Sequence, residues 1–304
     1  TYAIDKQPGT YAVTACFYST NTSFTGSDDD GSLAVTQENA AVQDFTSSPA
    51  QVLVGSSATI TFKVRETNPE SNVNQTLVAA GNIDNASVAP LALKGVLNGG
   101  TTNVTCSESN NGLTGYDRIR SFTCNTPTNL AADTYEAEVT VSGYYTGGDA
   151  IVIQITDPGA GFATGGGWYM FGGDRVNFGF MAKATVVNSK KVNYQGALLV
   201  IRHRPDGTVI KVKSNMFEGY SLQGTAVTFS GKANYFVNGI SDGNYAFTGY
   251  GNDLGTSGGG VDKFGLYYPR PGNLVATSAT ILGLPASAVT LAGGNIQAPQ
   301  PGSK

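Results

Sequence analysis

Apolar and polar residues alternate with period two over 11–19, 33–37, 58–65, 134–142, 150–156, 176–183, 195–202, 209–213, 226–235, 245–250, 264–268 and 274–281. Successive side chains of an extended chain point to opposite faces, so each stretch predicts a β-strand with one buried side. Turn signals separate them: Pro8-Gly9, Ser27 to Gly31, Pro205-Asp206-Gly207, Ser241-Asp242-Gly243 and Gly258-Gly259-Gly260. In Arg204-Pro205-Asp206-Gly207 the proline presets φ and the glycine accepts a positive one, which predicts a hairpin. No stretch has helical periodicity with caps; a single turn is expected over 284–288. The fold class is therefore all-β: two β-sandwich modules, immunoglobulin-like or jelly-roll-like, in tandem.

The module boundary falls at Asp157-Pro158-Gly159-Ala160-Gly161, where a long alternating run gives way to a Gly-rich aromatic one. Residues 1–45 read as a partial immunoglobulin-like segment, 46–157 as a complete module, 158–295 as a C-terminal β-sandwich and 296–304 as a disordered tail. The charge divides at the same boundary. Residues 1–157 hold 16 acids and 6 bases, net −10, and residues 158–304 hold 6 acids and 12 bases, net +6.

Composition narrows the setting. Of the 304 residues 13% are charged, against about 25% in an average protein, which argues against a polyelectrolyte, a nucleic-acid binder and a coiled coil. No window approaches the ~18 apolar residues of a membrane span. Hydroxyl, amide and Gly residues carry solubility in place of Lys and Glu, the habit of extracellular β-proteins. The chain starts at Thr1 without a leader, and reads as a processed mature chain or a fragment. Cys106 and Cys124 flank a polar loop between two strand-like runs, so a disulfide is expected there; closing such a loop is worth about 3 kcal/mol and requires an oxidising compartment. Cys16 alternates with apolar neighbours and is expected to be a buried thiol. The sequons at Asn21, Asn74, Asn85 and Asn103 offer glycosylation sites.

The runs Thr164-Gly165-Gly166-Gly167-Trp168, Asn177-Phe178-Gly179-Phe180 and 258–264 (GGGVDKF) resemble those of the post-COAP domain, a C-terminal β-domain of multi-module secreted bacterial proteins. Asp133-Thr134-Tyr135, opening a run that ends at Asp157-Pro158, is similar to the immunoglobulin-like repeats upstream of that domain. The chain departs from the family over 273–295, which is uncharged where the family has a charged strand. The resemblance implies an exported surface or matrix protein and no catalytic motif.

Little in the chain points to a reaction. One His and three Cys exclude the usual zinc sites. His203 lies between Arg202 and Arg204 without a nucleophile elbow, and the second module's only Glu, Glu218, leaves no carboxylate pair for glycoside hydrolysis. Gly165-Gly166-Gly167 lacks the following helix a phosphate loop needs and is expected to pack closely over Trp168, the only Trp. Asp28-Asp29-Asp30 and the Asp253–Asp262 pair carry the hard oxygens Ca2+ prefers; solvated turns are the plainer reading of the first. Trp168, Tyr267 and Tyr268 are candidates for stacking on a glycan. Lys183, Lys190, Lys191, Arg202, Arg204, Lys211 and Lys213 form a basic set suited to an anionic glycan or to another copy's acidic module. The expectation is a non-catalytic extracellular structural or adhesive protein. It would assemble head to tail by strand complementation and charge; a carbohydrate-binding module is the alternative.

Overall fold

The computed structural model describes residues 7–23, 25–67, 83–110, 118–188, 191–255, 259–268 and 288–299. The described chain is strand throughout, with short 3-10 turns such as Pro158–Ala160 at the module boundary. It forms a hairpin and two β-modules in tandem. The strand expected over 274–281 and most of the turn over 284–288 lie outside the described residues.

The hairpin pairs β1 (Gly9–Phe17) with β2 (Ser27–Val35) as a two-stranded sheet of its own. The first module contains β3 (Glu38–Ser48), β4 (Gln51–Leu53), β5 (Thr59–Glu66), β6 (Ala86–Val88), β7 (Leu91–Gly95), β8 (Thr101–Val104), β9 (Ser107–Asn110), β10 (Arg120–Asn125), β11 (Asp133–Gly143) and β12 (Tyr145–Thr156). Since β3 pairs with β5 up to Ser48↔Thr59, residues 38–45 belong to this module's sheet, and the segment that stands apart is the hairpin alone. The strand order is β8-β7-β11-β12-β3-β5-β10-β9, with β4 on β12 and β6 on β11. The alternation that predicted β5 places Ile60, Phe62 and Val64 inward, where they meet Leu91, Leu93, Val139 and Ile153 of the facing half. Only Thr105 and Cys106 separate the two end strands β8 and β9 in the chain, so one segment ties both ends of the curled sheet together. The expected disulfide between Cys106 and Cys124 of β10 pins that link.

The second module closes in the same way. Strands β13 (Ala163–Phe171), β14 (Asp174–Asn188), β15 (Lys191–His203), β16 (Val209–Gln223), β17 (Ala226–Val237), β18 (Ile240–Asn252) and β19 (Lys263–Tyr267) form an antiparallel meander. β20 (Val289–Thr290) pairs with β19, and β21 (Gly293–Gln297) pairs with β13. Leu291 and Ala292 join the two ends; Leu291 is buried and donates its N–H to the Asp262 carbonyl. Ile296, fully buried in β21, extends the ordered strand past the position at which a disordered tail was expected to begin. The interior is aromatic: Phe178 stacks on Phe264 at 4.1 Å and Phe180 on Phe229 at 4.6 Å. Gly165 makes room, since a Cβ there would lie 2.4 Å from the Phe180 ring.

Strands β11 and β12 lie against β13, β14 and β15. Val152 meets Leu199 and Ile201 in a small apolar cluster. Gln154 is fully buried at this junction with its amide engaged, donating to the carbonyls of Asp133 and Ile155 and accepting from the Thr134 hydroxyl at 2.7 Å.

Candidate functional site

Two features stand out: the hairpin and the junction between the modules. Residues opposite each other in an antiparallel ladder share a face. One face of the hairpin therefore carries Tyr11, Val13, Ala15 and Phe17 across from Leu33, Gly31, Asp29 and Ser27; the other carries Thr10, Ala12, Thr14 and Cys16 across from Ala34, Ser32, Asp30 and Asp28. The Thr14 hydroxyl donates to Asp30 at 2.7 Å, so the acidic run lies along a strand and not in a turn. The first face has the alternation of a core strand, yet Val13 is 46% and Phe17 55% exposed, and Tyr18 just beyond is 85% exposed. Cys16, expected to be buried, is a free and exposed thiol. The alternation that suggested burial is present, but among the described residues no strand of either module covers Val13, Cys16 or Phe17.

At the junction Glu136 of β11 is buried and receives Lys211 at 2.5 Å and Lys213 at 3.5 Å from β16. Burial pushes its carboxyl up, but the hydrogen bond from Lys211 and the charges of Lys211, Lys213 and Lys94 outweigh that and hold it below the ordinary carboxylate range. His203 lies 2.5 Å from Asp149. The opposite charges of the modules, expected to draw separate copies together, are thus partly neutralised within one chain. Arg202, from the same basic set, is buried against Asp174 of its own module at 2.8 Å.

The candidate ligand residues are dispersed. Asp262 is fully buried; its carboxylate oxygens accept the N–H groups of Leu254 and Ile296, and Asp253 accepts that of Ala298. Backbone amides thus occupy both oxygens of Asp262 and one of Asp253. Among the described residues no three His, Cys, Asp or Glu side chains gather as a metal site. Tyr268 is a core residue and takes no part in a stacking surface: it is 1% exposed, stacks on Tyr235 at 5.9 Å and donates to the Ala233 carbonyl. Tyr267, next along the strand, is half-buried. Trp168 is half-buried at the module junction with the Arg175 guanidinium 4.5 Å from its ring centre. Asn21, Asn85 and Asn103 are exposed, as glycosylation requires; Asn74 lies outside the described residues.

Sequence reasoning missed Arg175. It sits next to Asp174 in an aromatic and Gly-rich run, where an adjacent Asp-Arg pair reads as a plain turn, and only the folded junction shows that Asp174 goes to Arg202 while Arg175 lies over Trp168. Comparison with known proteins yields no match: no family model, no curated protein and no solved structure is similar to this chain. No helix among the described residues is long and apolar enough to cross a membrane.

Proposed function

We propose that the protein is a non-catalytic, extracellular structural or adhesive subunit that self-assembles through its N-terminal hairpin. The observation that carries this reading is the apolar face of the hairpin, on which Val13 and Phe17 are exposed to solvent. A lone two-stranded hairpin is marginal in water and gains independent stability only when further strands or a packed surface cover it. Its outer edges also offer unpaired N–H and C=O groups, the template by which one chain adds strands to another. A second copy is the favoured occupant, because a patch on one end that docks elsewhere on an identical chain propagates head to tail. Charge contributes less than the net values of the modules suggest, since Glu136, Asp149, Lys211, Lys213 and His203 are paired within the chain. The disulfide and the low charge content support an oxidising, extracellular setting.

Negative-stain electron microscopy tests this. The wild-type chain is expected to form regular filaments that persist in high salt. A Val13→Asp/Phe17→Asp variant is expected to give discrete particles with unchanged unfolding of the two modules, because among the described residues both side chains are exposed and belong to neither core. Discrete wild-type particles under every condition would sink the reading.

A further inference from the structure

A cavity of about 470 Å³ opens at the module junction, away from the hairpin. Its walls come from β4 of the first module and from β13, β14 and β21 of the second, contributing Gln51, Trp168, Arg175 and Asn295 among others. Three polar atoms on these walls are shielded from solvent and have no hydrogen-bond partner among the described residues: Gln51 Oε1, Asn295 Oδ1 and Arg175 Nε. Buried polar atoms are nearly always satisfied, so three orphans around one cavity call for an occupant.

Among the described residues Arg175 carries the only charge on the wall. It also borders the adjoining cavity of about 540 Å³, together with Asp149 and His203. The nearby acids are engaged: Asp174 with Arg202, Asp149 with His203 and with the N–H of Ala150, and Asp44, on the wall of the adjoining cavity, with Lys63. The Arg175 guanidinium lies over Trp168 and forms no ion pair with any described carboxylate. Burial alone pushes its proton affinity down, with no counter-charge pushing back. A half-buried guanidinium with a shielded Nε gains from an anion that joins it.

From this geometry we infer that the junction cavity is a binding site for a carboxylated sugar, a uronate unit of an acidic polysaccharide. The carboxylate completes Arg175, which favours planar two-oxygen partners. The sugar hydroxyls complete Gln51 and Asn295. A hydroxyl both donates and accepts, so it satisfies an amide whichever of its two heavy atoms faces inward; a peptide group, whose N–H only donates and whose C=O only accepts, is more restricted. Ser47, Ser48 and Gln297 add further polar partners, while Trp168, Val52 and Leu53 provide apolar surface for the C–H face of a ring. The volume falls in the range of small-ligand sites, about 300–1,000 Å³.

Trp168 is the only Trp in the chain, so tryptophan emission reports from this cavity alone. The full-length chain is titrated with tri-galacturonate, with neutral galactotriose and with tri-glutamate, and binding is read by Trp emission and by calorimetry. Saturable binding is expected for tri-galacturonate only. Arg175→Ala should weaken it about tenfold or more, the worth of a charge-assisted contact, while the melting temperature holds, because the half-buried guanidinium forms no ion pair with a described carboxylate. Silence toward tri-galacturonate in both readouts would overturn the assignment and leave water as the occupant. Equal binding of the neutral sugar or of tri-glutamate would overturn it too, as would undiminished binding by the Arg175→Ala variant.

Discussion

A Cβ placed on Gly179 would lie 2.7 Å from a Val152 methyl and 2.9 Å from the Thr134 methyl, both on the neighbouring module. Gly166 is constrained from the same side, its Cβ position falling 2.6 Å from Cβ of Gln154. These glycines therefore set how closely β13 and β14 approach β11 and β12. Gly179→Ala is expected to destabilise the folded chain by about 1–3 kcal/mol, the usual cost of one carbon too many in a packed site. Chemical denaturation checks this, and an unchanged midpoint would mean that the junction gives way to admit the methyl. The run of glycines before Trp168 was legible in the sequence as a site of close packing. What they pack against was not, because Gly165 faces the second core, Gly166 faces the other module, and Gly167, at φ 154°, would collide with Gly293 of the closing strand. One short motif answers to three surroundings that lie far apart in the chain.

Each module is a curled sheet whose ends are tied by a segment that changes partner after a two-residue link, Thr105-Cys106 in the first and Leu291-Ala292 in the second. Different devices hold the two links: a disulfide in one, and in the other the buried Asp262 carboxylate gripping Leu254 and Ile296. Replacing Cys106 and Cys124 together by Ser is expected to cost the first module about 2–4 kcal/mol. The second module, closed without a cysteine, should be unaffected, so calorimetry should show the first module's unfolding transition lowered and the second module's left in place. Equal shifts of both transitions would show that the modules unfold as one unit. At this scale the sequence was most informative where strands alternate cleanly, as in β5 and β17. It was least so where the ladder is irregular. In β16 the register shifts between Ser214 and Met216 and again between Phe217 and Gly219, and each bulge inverts the inward and outward positions. The period-two reading stopped at 213, although the strand runs to Gln223. Short strands such as β6 and β8 were likewise too brief for any period to show.

The division of charge between the modules could be read from composition, but whether it acts within a chain or between chains depended on where β11 meets β16. Glu136 connects the two modules through Lys211 and Lys213, and removing one member of a shielded ion pair strands the others. Glu136→Gln is expected to cost about 3 kcal/mol at neutral pH. The pH dependence of that cost follows from the direction of the shift. Glu136 has a folded-state pKa below its ordinary value of 4.5, so its ionised form is favoured by folding. Its contribution is complete above that ordinary value and disappears as the pH falls through the lower folded-state value. Asp133 acts in the opposite sense. Burial raises its pKa despite the N–H groups of Asn98, Leu97 and Thr134, so its ionisation opposes folding above its ordinary value and acid relieves that cost. The whole protein's acid profile mixes these two contributions, whereas the difference between wild type and Glu136→Gln isolates the junction. That difference should stay level from neutral pH down to about 5 and shrink steadily below. A difference that instead persisted in strong acid would mean that Glu136 holds the modules by shape and hydrogen bonding, and that the charges of the two modules remain available to act between copies.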